Sequence, residues 1–255
     1  MQKSSIGDLS ASTGDDFPVV TTTMPATAGH YKIAYGGFII LLVLIAIVTP
    51  FANIPLRRVD AFTPVTQTVF CVANLLTATF LFAHYWLQPQ PALLALASGF
   101  VFSGLFAFLQ TLAFPDAYGP GVLIGDPLNS AGWLYTFWHT AFPVAVIVFT
   151  LSKDGGDAVQ RPGRSTGVTI GITIACLVMA TAGLSWVAVA GAEYLPSLYE
   201  TTTQQAPFAR VVAVYLALLT TVAFVLLFVR RHTILDQWLI LTVLGWLPVF
   251  LVTIT

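Results

Sequence analysis

Charge is scarce in this chain. Only 8% of its residues are Asp, Glu, Lys or Arg, against roughly a quarter in a soluble domain. That excludes a soluble globular enzyme, and a net charge of −1 gives a nucleic-acid partner nothing to hold. Lysine is scarcer still. Lys3, Lys32 and Lys153 all lie outside the long apolar runs, so no span carries the Schiff-base lysine of a retinal protein. The two cysteines, Cys71 and Cys176, sit inside apolar runs and make neither a disulfide framework nor a CxxC metal pattern. No G-x-x-x-x-G-K-[ST], H-E-x-x-H or G-x-S-x-G motif is present. No catalytic module is legible. A cleavable signal peptide is not evident either, because the first apolar run begins near Ala34 and no A-x-A site follows it.

What fills the chain instead is hydrophobic sequence, 57% of it. Residues 1–30 are rich in Ser, Thr, Gly, Ala and Asp without periodicity, and read as a disordered tail. Beyond them come apolar runs of the length a helix needs to cross a bilayer. They fall at about 34–52, 65–86, 92–113, 131–151, 167–190, 210–229 and 237–255. The fold class is therefore all-α, a polytopic transmembrane helical bundle with about seven spans over residues 31–255. Lys3, Lys32, Lys153, Arg161, Arg164, Arg230 and Arg231 would share one side, and Arg57, Arg58 and Arg210 the other. This bias places the N-terminus in the cytoplasm. Seven spans that start inside finish outside, and the sequence stops at Thr255 at the end of an apolar run. The membrane domain thus reads as truncated at its C-terminal end.

Small residues recur every four positions in the third span (Ala95, Gly99, Ser103, Ala107) and in the fifth (Gly167, Gly171, Ala175). That spacing lets helix backbones approach closely in lipid. Tyr85, Trp86, Trp133, Tyr135 and Trp238 lie where spans meet the interface, as aromatic belts do.

The most unusual stretch runs from Thr111 to Pro143. A loop, Phe114-Pro115-Asp116-Ala117-Tyr118-Gly119-Pro120, precedes a span with His139 near its centre and Pro143 four residues later. Proline has no N–H, so the carbonyl left free is that of His139. Imidazole and carbonyl both need partners at that depth. Asn74 in the second span sits at a similar depth, about 12 Å in at 1.5 Å per residue, close enough to reach His139. Tyr135 lies one turn from His139, and Gln110 ends the third span. These residues either line a polar pocket or make separate interhelical hydrogen bonds. No cofactor is predicted. Haem between His84 and His139 would need two histidines at one depth, and theirs differ by roughly 10 Å or more. A small transporter or channel stays open as an alternative. Against it, no span interior holds an acid or base besides histidine, and no inverted repeat is visible.

The segment from Pro55 to Leu151 resembles the membrane-associated sensor domain, type four, of the MASE family of bacterial integral-membrane sensor domains. The resemblance is carried by Asn74-Leu75-Leu76-Thr77-Ala78, by Leu93-Leu94-Ala95-Leu96-Ala97-Ser98-Gly99-Phe100 and by Leu112-Ala113-Phe114-Pro115-Asp116-Ala117-Tyr118. Its most specific part is Trp133-Leu134-Tyr135-Thr136-Phe137-Trp138-His139-Thr140-Ala141-Phe142-Pro143. Gln110 stands near where such proteins often have a histidine, and some carry an acid at the place of Asn74. The resemblance implies about eight spans in a bacterial inner membrane. It also implies a cytoplasmic output module after them, a diguanylate cyclase or histidine kinase, with possible action as a homodimer. The site it implies is His139 with its aromatic neighbours Trp133, Tyr135 and Trp138; the polar residues of the spans add Asn74 and Gln110 to that site, and the loop adds Asp116. These would bind a small or membrane-borne cue.

Overall fold

The computed structural model describes residues 27–51, 59, 61–153, 164–201 and 204–254. Seven α-helices account for nearly all of them: α1 Ala28–Val48, α2 Phe62–Leu87, α3 Pro91–Leu112, α4 Ser130–Ser152, α5 Arg164–Val189, α6 Pro207–Val229 and α7 Ile234–Ile254. Each overlaps an expected span, and α1 begins earlier than the expected start near Ala34. Six are long and apolar enough to cross a membrane; the apolar stretch of α7 is Ile234–Phe250. The first 26 residues of the expected tail, and Arg57, Arg58 and Asp60, lie outside the described residues. The tail reading ends early, because helix α1 already begins at Ala28. Thr27 and His30 cap it reciprocally, the Thr27 N–H donating to His30 Nδ1 at 3.2 Å.

Successive helices run antiparallel, joined most tightly between α2 and α3 and between α6 and α7. One end of the bundle, the near end, gathers the starts of α1, α3, α5 and α7 and the ends of α2, α4 and α6. The far end gathers the opposite termini and the loops 113–129 and 190–206. Helix α3 is the most enclosed, with α2 and α4 packed on either side and α5 behind. Helix α4 meets α6, α6 meets α7, and α1 leans on α7 alone among its major contacts, with no buried residue of its own.

The small-residue spacing of α3 acts as expected. A Cβ built on Gly99 would come 2.5 Å from Ala145 Cβ, so α3 and α4 touch at backbone distance there. Gly104 faces Leu75 and the Cys71 carbonyl on α2 in the same way. The α5 stripe does less than its spacing promised. Gly167 packs on Trp86, but Gly171 faces open space and Ala175 is exposed.

At the near end, three helix termini are tied by a buried ion pair. Lys153, just past α4, donates to Asp236 Oδ2 at 2.8 Å and to the Arg230 carbonyl at 2.6 Å. Asp236 is 0% exposed and Lys153 only 9%. Asp236 also closes the start of α7, accepting from the N–H groups of His232 and Thr233, while Thr233 Oγ1 accepts from the Asp236 N–H. One carboxylate thus serves as a helix cap and as the partner of a lysine.

Candidate functional site

The far end holds a cavity of about 740 Å³. Its first wall is the start of α2, with Phe62, Thr63, Thr66 and Gln67. Its back is the end of α3 at Gln110 and the first two turns of α4, Ala131, Gly132, Tyr135 and Thr136. Helix α6 gives the opposite wall through Ala209, Val212, Ala213 and Leu216, and Phe250 of α7 closes the floor. Asp116, Tyr199, Thr201 and Gln205 stand at the mouth.

Loop chemistry explains how the mouth is held. Asp116 has φ 60°, in the left-handed region that Asp tolerates better than most residues. There it exchanges hydrogen bonds with Gly121: its N–H donates to the Gly121 carbonyl at 2.7 Å, and its Oδ1 accepts from the Gly121 N–H at 3.0 Å. Thr111 Oγ1 and the Tyr118 hydroxyl pair at 2.6 Å, which pins this loop to α3. Asp126 Oδ1 accepts from the N–H groups of Leu128 and Asn129 and so starts α4. Asn129 Oδ1 accepts from Leu198 at 2.7 Å and Tyr199 at 3.3 Å, binding the second loop to α4. Burial pushes the Tyr199 phenol up from its ordinary value, which keeps it protonated and able to donate.

Inside, the side chains that offer hydrogen bonds are mostly amides and hydroxyls. Gln67 Nε2 donates to Gln110 Oε1 at 3.3 Å, while Gln67 Oε1 has no partner among the described residues. Tyr135 stacks on His139 with ring centroids 3.7 Å apart. Phe250, the floor, meets the same imidazole edge-on at 5.6 Å. His139 is therefore behind the floor. Its Nδ1 bonds the Tyr135 carbonyl at 2.9 Å, and Trp138 and Trp246 lie against its ring at 4.5 and 4.6 Å.

The seven residues expected from sequence thus separate. Tyr135, Gln110 and Asp116 line the cavity. His139 and Trp138 form the layer beneath it, where the Trp138 indole N–H is buried without a partner. Trp133 turns to the second loop, donating to the Pro196 carbonyl at 3.1 Å and packing on Phe208. Asn74 does not reach His139. It donates instead to the Phe70 carbonyl of its own helix at 2.7 Å, as amide side chains do when no cross-helix partner is in range. Four contributors escaped the sequence reading: Gln67, Trp246, Phe250 and the Lys153–Asp236 pair. Only Thr233-x-x-Asp236 carried a usable signal, the capping pattern before an apolar run.

The sequence model described as "Membrane-associated sensor, integral membrane domain" (MASE4) matches residues 57–255. That span takes in α2 to α7 and the whole cavity, and leaves out α1. No curated protein and no solved structure matches the chain.

Proposed function

The chain belongs to the MASE4 family of membrane-associated sensor domains, and from that premise we propose that it is the input domain of a bacterial inner-membrane signalling protein, with the far-end cavity as its cue-binding site. The observation that carries this reading is the cavity itself. Its volume falls in the roughly 300–1,000 Å³ range of small-molecule sites, and it is mostly apolar with a few convergent polar groups. The surplus of Lys and Arg on the near-end segments supports a far end facing outward and a cytoplasmic N-terminus. The response would be read by a cytoplasmic diguanylate cyclase or histidine kinase, which supplies the catalytic step.

Transmission has a physical route. Helix α4 presents Tyr135 to the cavity and ends at Lys153. Helix α7 carries Asp236 in its first turn and presents Phe250 to the same cavity. The two helices meet through the His139 ring layer at one level and the ion pair at another. Each also contains a proline within about a turn of that layer, Pro143 in α4 and Pro248 in α7, and both helices run through it. Proline removes one backbone hydrogen bond in each, which makes these the easiest places to bend. A ligand that wedges between Tyr135 and Phe250 would favour one α4–α7 arrangement, by its differential affinity for the two.

The test is a cavity-filling allele. Thr66→Trp occupies the space from the α2 wall, and Leu218→Trp places the same indole on the lipid face. Cyclic di-GMP and phosphotransfer are read in cells carrying the gene in its own reading frame. The expected result is a fixed output for Thr66→Trp and a normal response for Leu218→Trp. A normal response from both, at equal membrane content, would remove the cavity from signalling.

A further inference from the structure

We infer that the cavity takes its ligand sideways from the bilayer, between α2 and the α6–α7 pair, and that this ligand is a single-chain amphiphile whose headgroup carries hydroxyl and carbonyl groups. The inference rests on the cue-binding reading above and narrows it to a route and a ligand class.

The route follows from how the helices are arranged. Helices α2, α3, α4 and α6 pack in that order, each on the next, and α7 continues from α6. They form an arc. Helices α2 and α6 both line the cavity, through Thr66 and Gln67 on one side and Val212 and Leu216 on the other, yet make no extended contact with each other. Among the described residues the arc is open between its two ends, which are helices of membrane-spanning length and apolarity. Phe62, on the rim, is 68% exposed, an apolar surface that costs less against lipid than against water.

The ligand class follows from how polarity changes with depth. The mouth carries Asp116 and Gln205, the amides of Gln67 and Gln110 come next, and Leu216 and Phe250 close the deepest part. Leu216 lies nine residues into α6, roughly 14 Å at 1.5 Å per residue. The cavity's carboxylate and amide groups thus lie toward the mouth and its deepest lining is apolar, the order in which polarity falls through a membrane leaflet. A molecule already oriented in that leaflet slides in without turning over. Its headgroup would arrive at the Gln67–Gln110 pair, where Gln67 Oε1 lacks a donor. A hydroxyl supplies that donor and a carbonyl accepts from an amide N–H. A bare alkane would leave these groups unsatisfied in a low-dielectric site, which is costly. The volume of about 740 Å³ suits one acyl chain with a small head.

The probe is a monoacylglycerol carrying a diazirine in its chain and an alkyne handle. The purified chain is placed in lipid nanodiscs with the probe, irradiated and mapped by peptide mass spectrometry. Labelling is expected at residues 62–67 and 209–216, and excess monoolein should remove it. Val212→Trp narrows the gap from α6 and Thr66→Trp from α2. Either should lower this labelling by roughly tenfold, while Leu218→Trp, 63% exposed to lipid, should not. Two substitutions on opposite walls keep the test valid if one fails to fold. Labelling spread over all lipid-facing helices and insensitive to monoolein would overturn the ligand class. Competed labelling untouched by either tryptophan would overturn the lateral route. Correct labelling beside an unaltered cellular response of Thr66→Trp would uphold this inference and overturn the sensing role instead.

Discussion

Replacing Lys153 by Met should destabilise the bundle more than any exposed substitution in it. The lysine is 9% exposed and its carboxylate partner, Asp236, 0%. Removing the lysine leaves the Asp236 charge buried with, among the described residues, the His232 and Thr233 N–H groups on it. Asp236 Oδ1 already lacks a partner. Breaking one side of a buried pair costs about 3–5 kcal/mol, because the stranded charge stays desolvated. Asp236→Asn should cost less, since an amide oxygen can still accept from both cap N–H groups and Lys153 keeps the Arg230 carbonyl. The double variant Lys153→Met/Asp236→Asn should be more stable than Lys153→Met alone by about 2 kcal/mol or more, since the uncompensated charge is gone. Unfolding in mixed micelles titrated with SDS reads all four corners of the cycle. A Lys153→Met cost below about 1 kcal/mol would be the value of an exposed pair, and would refute the claim that this pair is buried and ties α4 to α7.

Three other substitutions test the packing around the cavity. His139→Phe keeps the ring layer and loses the bond to the Tyr135 carbonyl, about 1 kcal/mol, whereas His139→Ala leaves a hollow among Tyr135, Trp138, Trp246 and Phe250, about 3 kcal/mol or more; equal costs in SDS unfolding would contradict the ring layer. Gly99→Val pushes α3 from α4 at Ala145 and should cost about 1–3 kcal/mol, with Gly171→Val, which faces open space, as the silent control. Asn129→Ala strips the acceptor from the Leu198 and Tyr199 N–H groups, a loss of about 1–3 kcal/mol confined to that loop. Hydrogen exchange should quicken at those two amides while α4 stays protected.

The helices were legible in the sequence because each announces itself without tertiary help. An apolar run of bilayer length admits one structure in lipid, since every backbone polar group must be satisfied within the segment. Tyr135, Gln110 and Asp116 stood out for a related reason, as polar groups set in or beside apolar runs. Gln67 did not, because Thr66-Gln67-Thr68 reads as an ordinary interfacial start to a span. Trp246 and Phe250 resemble any other lipid-facing aromatic until α7 is placed against α4. The Lys153–Asp236 pair joins residues 83 positions apart, and nothing local in either names the other. Asn74 shows the opposite limit. Equal depth made a bond to His139 plausible, but depth says nothing about rotation around the helix axis, and the amide points to its own backbone.

The claim on which everything else depends is that the far-end cavity holds a ligand. It is tested most directly by native mass spectrometry of the chain extracted from its own membrane in copolymer discs, which keep the surrounding lipids. Wild type should carry a discrete small adduct at about one per chain, and Thr66→Trp should carry none while unfolding like wild type. The same adduct on both, or no discrete adduct on wild type, would contradict the account.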